Sequence, residues 1–292
     1  MKFKKNLMRK YIYNPILNLY ETIAKKYLRK KSKIYLNKYP ILAQYSFDFI
    51  SNEISIKGRY EDAYLSWIEK NLSKFTLNKT TLDIGANIGN HAVAFSFISR
   101  EVIAFEPNPK IFKLLDINKD INSNINIYNY GLSDKNEILN AYVPKHNIGG
   151  GTVNKKRVSN ASSINYKFKL KKLDSLKFMQ KKNIGLIKID IEGNELKAFK
   201  GMINLLMNQS PIIVFEKNDL YLKNEDIKFL KKVGYQYFYE FIDNSSWIFK
   251  NKFLRIIESF IFGTPMLEKS IKLINFFDKK YDLILSSKFP IN

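Results

Sequence analysis

The strongest constraint on the fold of this chain is a repeated alternation of short apolar strands with amphipathic helices. Strands are predicted at residues 81–84, 102–106 and 125–130, and the stretches 90–99 and 111–117 between them have the apolar spacing of helices. Consecutive strand–helix–strand units of this length form right-handed crossovers, which place their strands side by side in a parallel sheet. The pattern therefore predicts an α/β fold.

The same alternation continues along the rest of the chain. Four further strands are predicted at residues 185–190, 211–216, 235–241 and 280–289, with helices from about residue 194 and over residues 226–233. Together these elements predict a doubly wound, mostly parallel seven-stranded sheet of the Rossmann-like type, with helices packed on both of its faces.

Three stretches fall outside this alternation. Residues 45–58 alternate polar and apolar side chains, which is typical of a β-hairpin, and a helix is predicted from Glu61 to Phe75. Residues 141–172 are polar, contain three consecutive glycines and are expected to hold extended segments that cover the substrate. Residues 244–280 are expected to form an insertion with two apolar helical stripes, Phe253 to Ile261 and a second one reaching Phe277. We accordingly expect a basic helical extension (1–44) and an α/β domain (45–292) with core motifs at 81–216.

A glycine-containing turn follows the first central strand. Asp83, Gly85 and Gly89 have the spacing D-x-G-x-x-x-G, and Glu106 ends the next strand, 21 residues after Gly85. Glycines let a ligand approach the backbone closely, and an acid at this position accepts both hydroxyls of a ribose. Because the spacing differs from the G-x-G-x-x-G of dinucleotide sites, and Asp83 is available for an amino group, the turn favours S-adenosylmethionine.

The order and spacing of six motifs resemble those of the FkbM-type methyltransferases from about residue 58 to residue 216. The motifs are LDIGANIG (82–89), FEPNP (105–109), GLSD (131–134), KLDSL (172–176), IKIDIEGNE (187–195) and PIIVFE (211–216). The resemblance implies a class I methyltransferase fold and methylation of a hydroxyl group on a sugar, polyketide or other secondary metabolite. It also adds four residues, Asn87, Asn108, Leu132 and Ser133, to the expected cofactor site of Asp83, Gly85, Gly89 and Glu106.

Acidic side chains follow the fourth and fifth strands of the predicted sheet. Asp190, Glu192 and Glu216 are expected to converge, because ligands of open α/β sheets bind beyond the carboxyl ends of the strands. One alternative is that a carboxylate removes the proton of an acceptor hydroxyl. Another is that Asp190 and Glu216 hold a Mg²⁺ ion that acidifies the hydroxyl. A third is that Glu192 belongs to a turn capped by Asn194.

The two histidines are further candidates. His146 precedes the three glycines of the 141–172 segment and is a candidate base outside the acids, with a plain surface loop as the alternative. His91 falls in the first turn of the helix after the glycine turn, where it is either catalytic or a packing residue.

The formal net charge of +22 raises the question of nucleic-acid binding. Only six of the 49 basic residues are arginine, the residue that reads guanine by paired hydrogen bonds, and the Asn/Asp-Pro-Pro-Tyr/Phe motif of amino-methylating enzymes does not follow the fourth strand. Nucleic acid is therefore a disfavoured partner, although an RNA methyltransferase and a non-catalytic nucleoside-binding protein stay as alternatives. The expected activity is O-methylation of a sugar, a glycan or a lipid-linked saccharide.

Half of the net charge lies in residues 1–40, which hold 12 basic side chains and one acid, Glu21. Aromatic and aliphatic residues recur there at helical spacing. The segment is either a helix packed on the main domain with a solvated lysine face, or an amphipathic helix on an anionic membrane. The absence of cysteine fits a reducing compartment, so we expect a cytoplasmic protein, with peripheral attachment to the inner face of the membrane as the alternative.

Overall fold

The structure is a computed structural model. It describes residues 15–46, 48–144, 148–153, 163–217, 224–244, 248, 251, 254–255, 268–277 and 281–291. The helices in these ranges are α1 (Pro15–Leu36), α2 (Phe49–Lys57), α3 (Asp62–Thr76), α4 (Asn90–Ser96), α5 (Pro109–Asn118), α6 (Glu195–Gly201), α7 (Ile203–Asn208) and α8 (Glu225–Lys232). The strands are β1 (Thr80–Ile84), β2 (Glu101–Phe105), β3 (Ile125–Tyr128), β4 (Gly131–Leu132), β5 (Glu137–Pro144), β6 (Ser163–Lys171), β7 (Ile184–Ile189), β8 (Ile212–Lys217), β9 (Tyr237–Asp243), β10 (Lys269–Leu273) and β11 (Tyr281–Ser287).

The predicted doubly wound sheet is confirmed. Within the described ranges it has eight strands in the order β10-β9-β11-β8-β7-β1-β2-β3. The strands from β8 to β3 run parallel, whereas β11, β9 and β10 pair antiparallel at the other end of the sheet. Seven of these strands were predicted, and β10 is the addition.

Strand β10 corrects the expected helical stripe that reaches Phe277. Its residues pair with the edge of β9, with Ile271 opposite Phe241, and both side chains pack against the core. Without β10, the backbone N–H and C=O groups along this edge of β9 would have no strand to pair with. Pairing with them favours a strand over a helix in this segment. The other expected stripe, Phe253 to Ile261, lies almost entirely outside the described residues.

The core lies on both faces of the sheet. On one face the side chains of β1 and β7 pack against α6 and α8, through residues such as Ile187, Phe199 and Leu230. On the other face α3 and α4 cover the sheet, with Leu65 and Phe95 fully buried. Central parallel strands are covered on both faces and are therefore apolar along most of their length, which is why their positions were predictable.

The expected extended segments between residues 141 and 172 form a separate small sheet. Its strands lie in the order β4-β6-β5, and its apolar face is a cluster of four buried residues, Ala141, Val143, Phe168 and Leu170. Residues 148–153 continue from this sheet, and Thr152 exchanges two backbone hydrogen bonds with Tyr142. The small sheet thereby brings the glycines 149–151 next to the ends of β1 and β2.

The predicted β-hairpin at residues 45–58 is wrong, because most of this segment forms helix α2. The Asp48 carboxylate accepts a hydrogen bond from the Ile50 amide and caps the start of the helix. Gly58, at φ +87°, ends it and donates its amide to the Ile54 carbonyl. These two end signals outweigh the alternation of polar and apolar residues.

Helix α1 leaves most of its apolar residues in contact with solvent. The side chains of Leu19, Tyr20, Ile23, Tyr27, Leu28, Ile34 and Leu36 are between 43% and 70% exposed. Near the end of the helix the Tyr35 hydroxyl donates a hydrogen bond to the Ile56 carbonyl, which joins α1 to α2. Among the described residues, no helix combines the length and the apolar character that crossing a bilayer requires.

Candidate active site

The carboxyl ends of β1, β2, β7 and β8 surround a cavity of about 280 Å³. This is the edge at which open α/β sheets bind ligands. Of the predicted site residues, the structure brings seven to the cavity wall: Gly85, Asn87, Glu106, Asn108, Asp190, Glu192 and Glu216. Four other predicted residues are described but do not line it: Asp83, Gly89, Leu132 and Ser133. His146 lies outside the described residues.

The turn after β1 requires its glycines. Gly85 has φ +81°, and a Cβ atom there would lie 1.9 Å from the Asp190 carbonyl oxygen. Any side chain would therefore collide with the backbone at the end of the neighbouring strand, β7. Gly89 has φ +95° and precedes α4. The amides of Gly85 and Ala86 both donate to the Phe105 carbonyl at 3.0 Å. The turn is thus fixed between β7 and β2.

Glu106 is the buried acid at the end of β2. One of its oxygens accepts the Asn108 amide at 2.7 Å, and the other accepts the Asn87 amide at 3.0 Å. Burial raises the pKa of Glu106 to about 7, against the opposite effect of these two hydrogen bonds. A carboxylate has about four acceptor positions, so two remain for a ligand in the cavity.

Asn108 and Asn87 shape the wall around Glu106. The Asn108 side chain caps α5 by accepting the Lys110 amide, and it donates to the Ile148 carbonyl at 3.0 Å. Asn87 adopts φ +52°, and a Cβ atom on Gly149 would lie 2.1 Å from its amide nitrogen. A side chain at residue 149 would therefore force the Asn87 side chain to move, and the glycine lets the two segments lie in close contact at this part of the cavity.

Asp83 is fully buried behind the cavity wall. Among the described residues neither of its carboxylate oxygens has a hydrogen-bond partner, and the Lys188 ammonium lies 3.7 Å away. Lys188 also lies 3.5 Å from an Asp190 oxygen and 3.3 Å from the Gly85 carbonyl oxygen, and it does line the cavity. Burial alone would lower the pKa of Lys188, but the charges of Asp190 and Asp83 outweigh it and raise the pKa.

Sequence reasoning missed Lys188. Its signal was present, because a lysine inside the apolar run of β7 is rarely buried without a charged partner. Asp83, on the adjacent strand and directly opposite in register, is that partner. The two residues form a buried charged layer beneath the glycine turn.

The three acids converge as predicted on the same cavity. Asp190 follows β7 and Glu216 lies in the last part of β8. Glu192 has φ +53° and starts a tight turn with Gly193, and its backbone carbonyl accepts a hydrogen bond from the Thr152 hydroxyl at 3.0 Å. This turn joins the carboxyl end of β7 to the small sheet.

Asn194 occupies the expected N-cap position of α6, but its side chain does not cap the helix. The Asn194 side chain makes no capping bond and donates instead to the Leu132 carbonyl. The Glu195 carboxylate instead accepts the amides of Gly193 and Ile191, which fixes the turn that precedes α6. Burial raises the pKa of Glu195 to about 7, in opposition to these backbone bonds.

His91 lines the cavity and is held by an acid that sequence reasoning did not select. Its Nε2 atom lies 3.0 Å from a carboxylate oxygen of Glu61, which adopts φ +54°. Burial would raise the pKa of Glu61, but the hydrogen bond and charge of His91, together with Lys188, lower it. Tyr60, next to Glu61, also lines the cavity.

Leu132 and Ser133 have packing roles in the structure. Both are buried, and the Ser133 amide donates to the Lys171 carbonyl at 2.9 Å. A Cβ atom on Gly201 would lie 2.0 Å from the Ser133 carbonyl oxygen, so α6 packs tightly on this strand end. Their assignment to the cofactor site stays a prediction.

The described residues contain no group of three or more histidine, cysteine or acidic side chains arranged to hold a metal ion. Asp190 and Glu216 share a cavity, but Asp190 already contacts Lys188. We therefore derive no step through Mg²⁺.

The parallel sheet, the glycine turn after β1 and the buried acid after β2 define a nucleoside-binding α/β domain of the class I methyltransferase type. Residues 83–237, more than half of the chain, match the family model described as the methyltransferase FkbM domain. The chain belongs to this family.

Hexuronic acid methyltransferase AglP of Haloferax volcanii is 35% identical over 136 residues, which cover 45% of this chain and 53% of that protein. The chain thus spans about half the length of the curated relative it matches. The crystal structure of methyltransferase FkbM from Methylobacillus flagellatus aligns with a TM-score of 0.41 at 15% identity, over 82% of this chain and 52% of that chain. A methyltransferase of Streptococcus mutans in complex with S-adenosylhomocysteine aligns with a TM-score of 0.37 at 11% identity, over 77% of this chain and 96% of that one.

Proposed function

We propose that this protein transfers a methyl group from S-adenosylmethionine to a hydroxyl oxygen of a sugar or glycan. The observation that carries the proposal is the meeting of two sets of residues in one cavity: the turn of Gly85 with the acid Glu106, and the carboxylates of Asp190 and Glu216. Membership of a methyltransferase family supports the reaction type. The name of the relative, a hexuronic acid methyltransferase, supports a sugar as the acceptor.

The residues of the first set fit the cofactor. Glu106 keeps acceptor positions for the two ribose hydroxyls, and Gly85 lines the same cavity. Asn87 and Asn108 complete this wall. S-adenosylmethionine, when bound, supplies an electrophilic methyl group on a sulfonium.

The residues of the second set fit the acceptor. A neutral hydroxyl is a poor nucleophile, and a carboxylate that takes its proton accelerates transfer by roughly 10²–10⁴-fold. In the proposed step the acceptor oxygen bonds to the methyl carbon as the carbon–sulfur bond breaks, and the hydroxyl proton passes to Asp190. Glu216 lies in the same cavity as a second base, and the Lys188 ammonium lies 3.5 Å from an Asp190 oxygen.

Labelled transfer tests the proposal directly. The full chain would be incubated with S-adenosylmethionine carrying a tritiated methyl group and with methyl pyranosides of neutral hexoses and of hexuronic acids. We expect label in at least one sugar, held as a methyl ether that resists mild alkali, whereas label released by mild alkali would reveal a methyl ester and contradict transfer to a hydroxyl. Label in added RNA and in none of the sugars would contradict the proposal, and so would a failure of S-adenosylhomocysteine to bind in calorimetry.

We also propose that α1 lies on an anionic membrane surface and brings the enzyme to a lipid-linked saccharide. Support comes from the exposed apolar side chains of α1, including Tyr20 and Ile23, and from its exposed basic residues Lys25, Lys26, Arg29, Lys30 and Lys33. A helix with apolar and cationic side chains together binds the boundary between lipid headgroups and acyl chains. Basic residues near such a surface add roughly 1 kcal/mol each.

A further inference from the structure

Three aromatic rings form a continuous wall of the cavity. Phe49 at the start of α2, Tyr60 before α3 and His91 in α4 all line it. The ring centroids of Phe49 and Tyr60 lie 6.4 Å apart at 78°, and those of Tyr60 and His91 lie 6.4 Å apart at 84°. We call these three side chains the aromatic wall. Phe49 is 55% exposed although it borders a cavity, so its ring has apolar surface available to a ligand.

Hydrogen bonds position two members of the aromatic wall, Tyr60 and His91. Asn90 accepts the Tyr60 amide at 3.2 Å and donates to the Tyr60 carbonyl at 3.0 Å, which fixes that backbone from both sides. Glu61 orients the His91 ring through the 3.0 Å contact with Nε2. The Tyr60 backbone and the His91 ring are thus positioned before a ligand binds, which is a property of preorganised sites.

The aromatic wall and the proposed catalytic acids border the same space. Burial, with smaller effects from the charges of Glu61, Asp190 and Glu216, raises the pKa of Tyr60. The phenol is therefore protonated and able to donate a hydrogen bond at neutral pH. A ligand between Tyr60 and the acids would meet an apolar ring surface on one side and hydrogen-bond acceptors on the other.

This combination selects a ligand with one apolar face and a polar rim. A pyranose ring has both, because its axial C–H bonds form a face without hydroxyls while its hydroxyls lie around the edge. The face of an aromatic ring carries negative charge density and attracts such C–H groups. The nucleoside is accounted for by Gly85 and Glu106, so the aromatic wall is available to the second substrate.

We propose that the aromatic wall is the acceptor subsite and that it binds the C–H face of a pyranose, with the sugar hydroxyls directed to Asp190 and Glu216. This inference rests on the proposed function, in which the acceptor is a sugar. It adds residues 49–60, which precede the matched family region, to the substrate-binding part of the molecule.

Substitutions on the aromatic wall distinguish the contribution of an aromatic ring to sugar binding from that of the Tyr60 hydroxyl. Tyr60→Phe keeps the ring, whereas Tyr60→Leu and Phe49→Leu remove it. The matched control is Phe97→Leu, because Phe97 is 60% exposed next to α4 and does not line the cavity. Saturation-transfer NMR with methyl β-D-glucopyranoside and its glucuronic acid analogue, in the presence of S-adenosylhomocysteine, reports sugar binding without turnover.

We expect ring C–H signals from at least one pyranoside with the wild type, Tyr60→Phe and Phe97→Leu. Tyr60→Leu should weaken sugar binding and raise the acceptor KM roughly tenfold, Phe49→Leu should act in the same direction, and the Kd of S-adenosylhomocysteine should stay unchanged. Any of three results would overturn the subsite: no saturation signal from either pyranoside, equal sugar binding by Tyr60→Leu and the wild type, or an equal loss of S-adenosylhomocysteine affinity. If the wild type binds a sugar but transfers no labelled methyl group to it, the proposed function is wrong and the sugar subsite is still supported.

Discussion

The Lys188 ammonium lies 3.7 Å from the Asp83 carboxylate, and both side chains are almost completely removed from solvent. The two residues are directly opposite each other on β7 and β1. Without Lys188 the Asp83 charge would be buried alone, and transfer of a lone charge out of water costs several kcal/mol. The pair also reaches the cavity, since the same ammonium contacts Asp190 and the Gly85 carbonyl.

Removing one member of this pair should therefore be worse than removing both. Lys188→Met leaves Asp83 buried without its counter-charge, and we expect the free energy of unfolding to fall by about 3–5 kcal/mol. The double variant Asp83→Asn/Lys188→Met should recover most of that loss. Urea denaturation followed by circular dichroism measures both. The buried pair Lys217–Asp226, at 3.1 Å, provides a matched control away from the cavity, and it should show the same pattern of stability with no change in cofactor affinity.

Glu106 should make cofactor binding depend on pH near neutrality. Its pKa is raised to about 7, so the carboxylate is largely protonated at pH 6 and largely ionised at pH 8. The ionised form is the better acceptor for ribose hydroxyls, so the affinity for S-adenosylhomocysteine should increase as the pH rises through 7. Calorimetry at both pH values measures this change. Glu106→Gln, which cannot ionise, should bind more weakly with a nearly flat profile, and an unaltered profile in that variant would refute the ribose assignment.

Gly85→Ala should abolish cofactor binding or prevent folding. The new Cβ atom would lie 1.9 Å from the Asp190 carbonyl oxygen, so β7 and the turn would have to separate. Gly234→Ala is the matched control, because Gly234 also has a positive φ, +98°, but its Cβ would meet only the flexible side chain of Lys288 at 3.6 Å. The control should lose about 1 kcal/mol from backbone strain and keep S-adenosylhomocysteine affinity. Equal effects in the two variants would show that φ alone, and not the contact with β7, makes Gly85 necessary.

The local signals of the sequence predicted most of this fold. Strands β1, β2, β7 and β8 are short apolar runs closed by glycine, proline or acidic residues, and they need no knowledge of distant contacts. Strand β10 could not be predicted in this way, because only pairing with β9 makes it extended. The segment of α2 was misassigned although its end signals, Asp48 and Gly58, were present in the sequence.

The residues of the candidate site also differ in whether local sequence signals could predict them. Gly85, Glu106 and Asp190 follow strands and were predictable from position alone. Lys188 and Glu61 act through partners that are far away in the sequence, Asp83 and His91 respectively, so their proximity depends on strand register and helix packing. Tyr60 was missed for a similar reason, because it lies well before the glycine turn in the sequence and its backbone is held at the cavity by Asn90, at the start of α4.

Helix α1 should mediate binding to anionic vesicles. The variant Tyr20→Ser/Ile23→Ser removes two exposed apolar side chains without disturbing a buried contact, and we expect weaker co-sedimentation with vesicles of phosphatidylcholine and phosphatidylserine. Phe276→Ser is the control, since Phe276 is 81% exposed outside α1. Binding should also fall as the salt concentration rises, because the basic residues contribute through a screened attraction. Equal sedimentation of the two variants and the wild type would exclude the proposed membrane contact.

Asp190→Asn should slow methyl transfer and leave cofactor affinity unchanged. The substitution keeps the size of the side chain and removes the group proposed to take the acceptor proton, so we expect kcat to fall by roughly 10²-fold or more, about 2.7 kcal/mol of activation free energy. Asp116→Asn, in an exposed ion pair with Lys119, is the control for loss of an acidic charge far from the cavity.

Rates with and without a chelator distinguish the two chemical alternatives for Asp190. A carboxylate acting alone predicts no effect of the chelator, whereas a Mg²⁺ ion held with Glu216 predicts inhibition that added metal reverses. Methyl transfer by Asp190→Asn at the wild-type rate would show that Asp190 has a structural role at the end of β7, through its contact with Lys188. The acceptor proton would then be removed by another group.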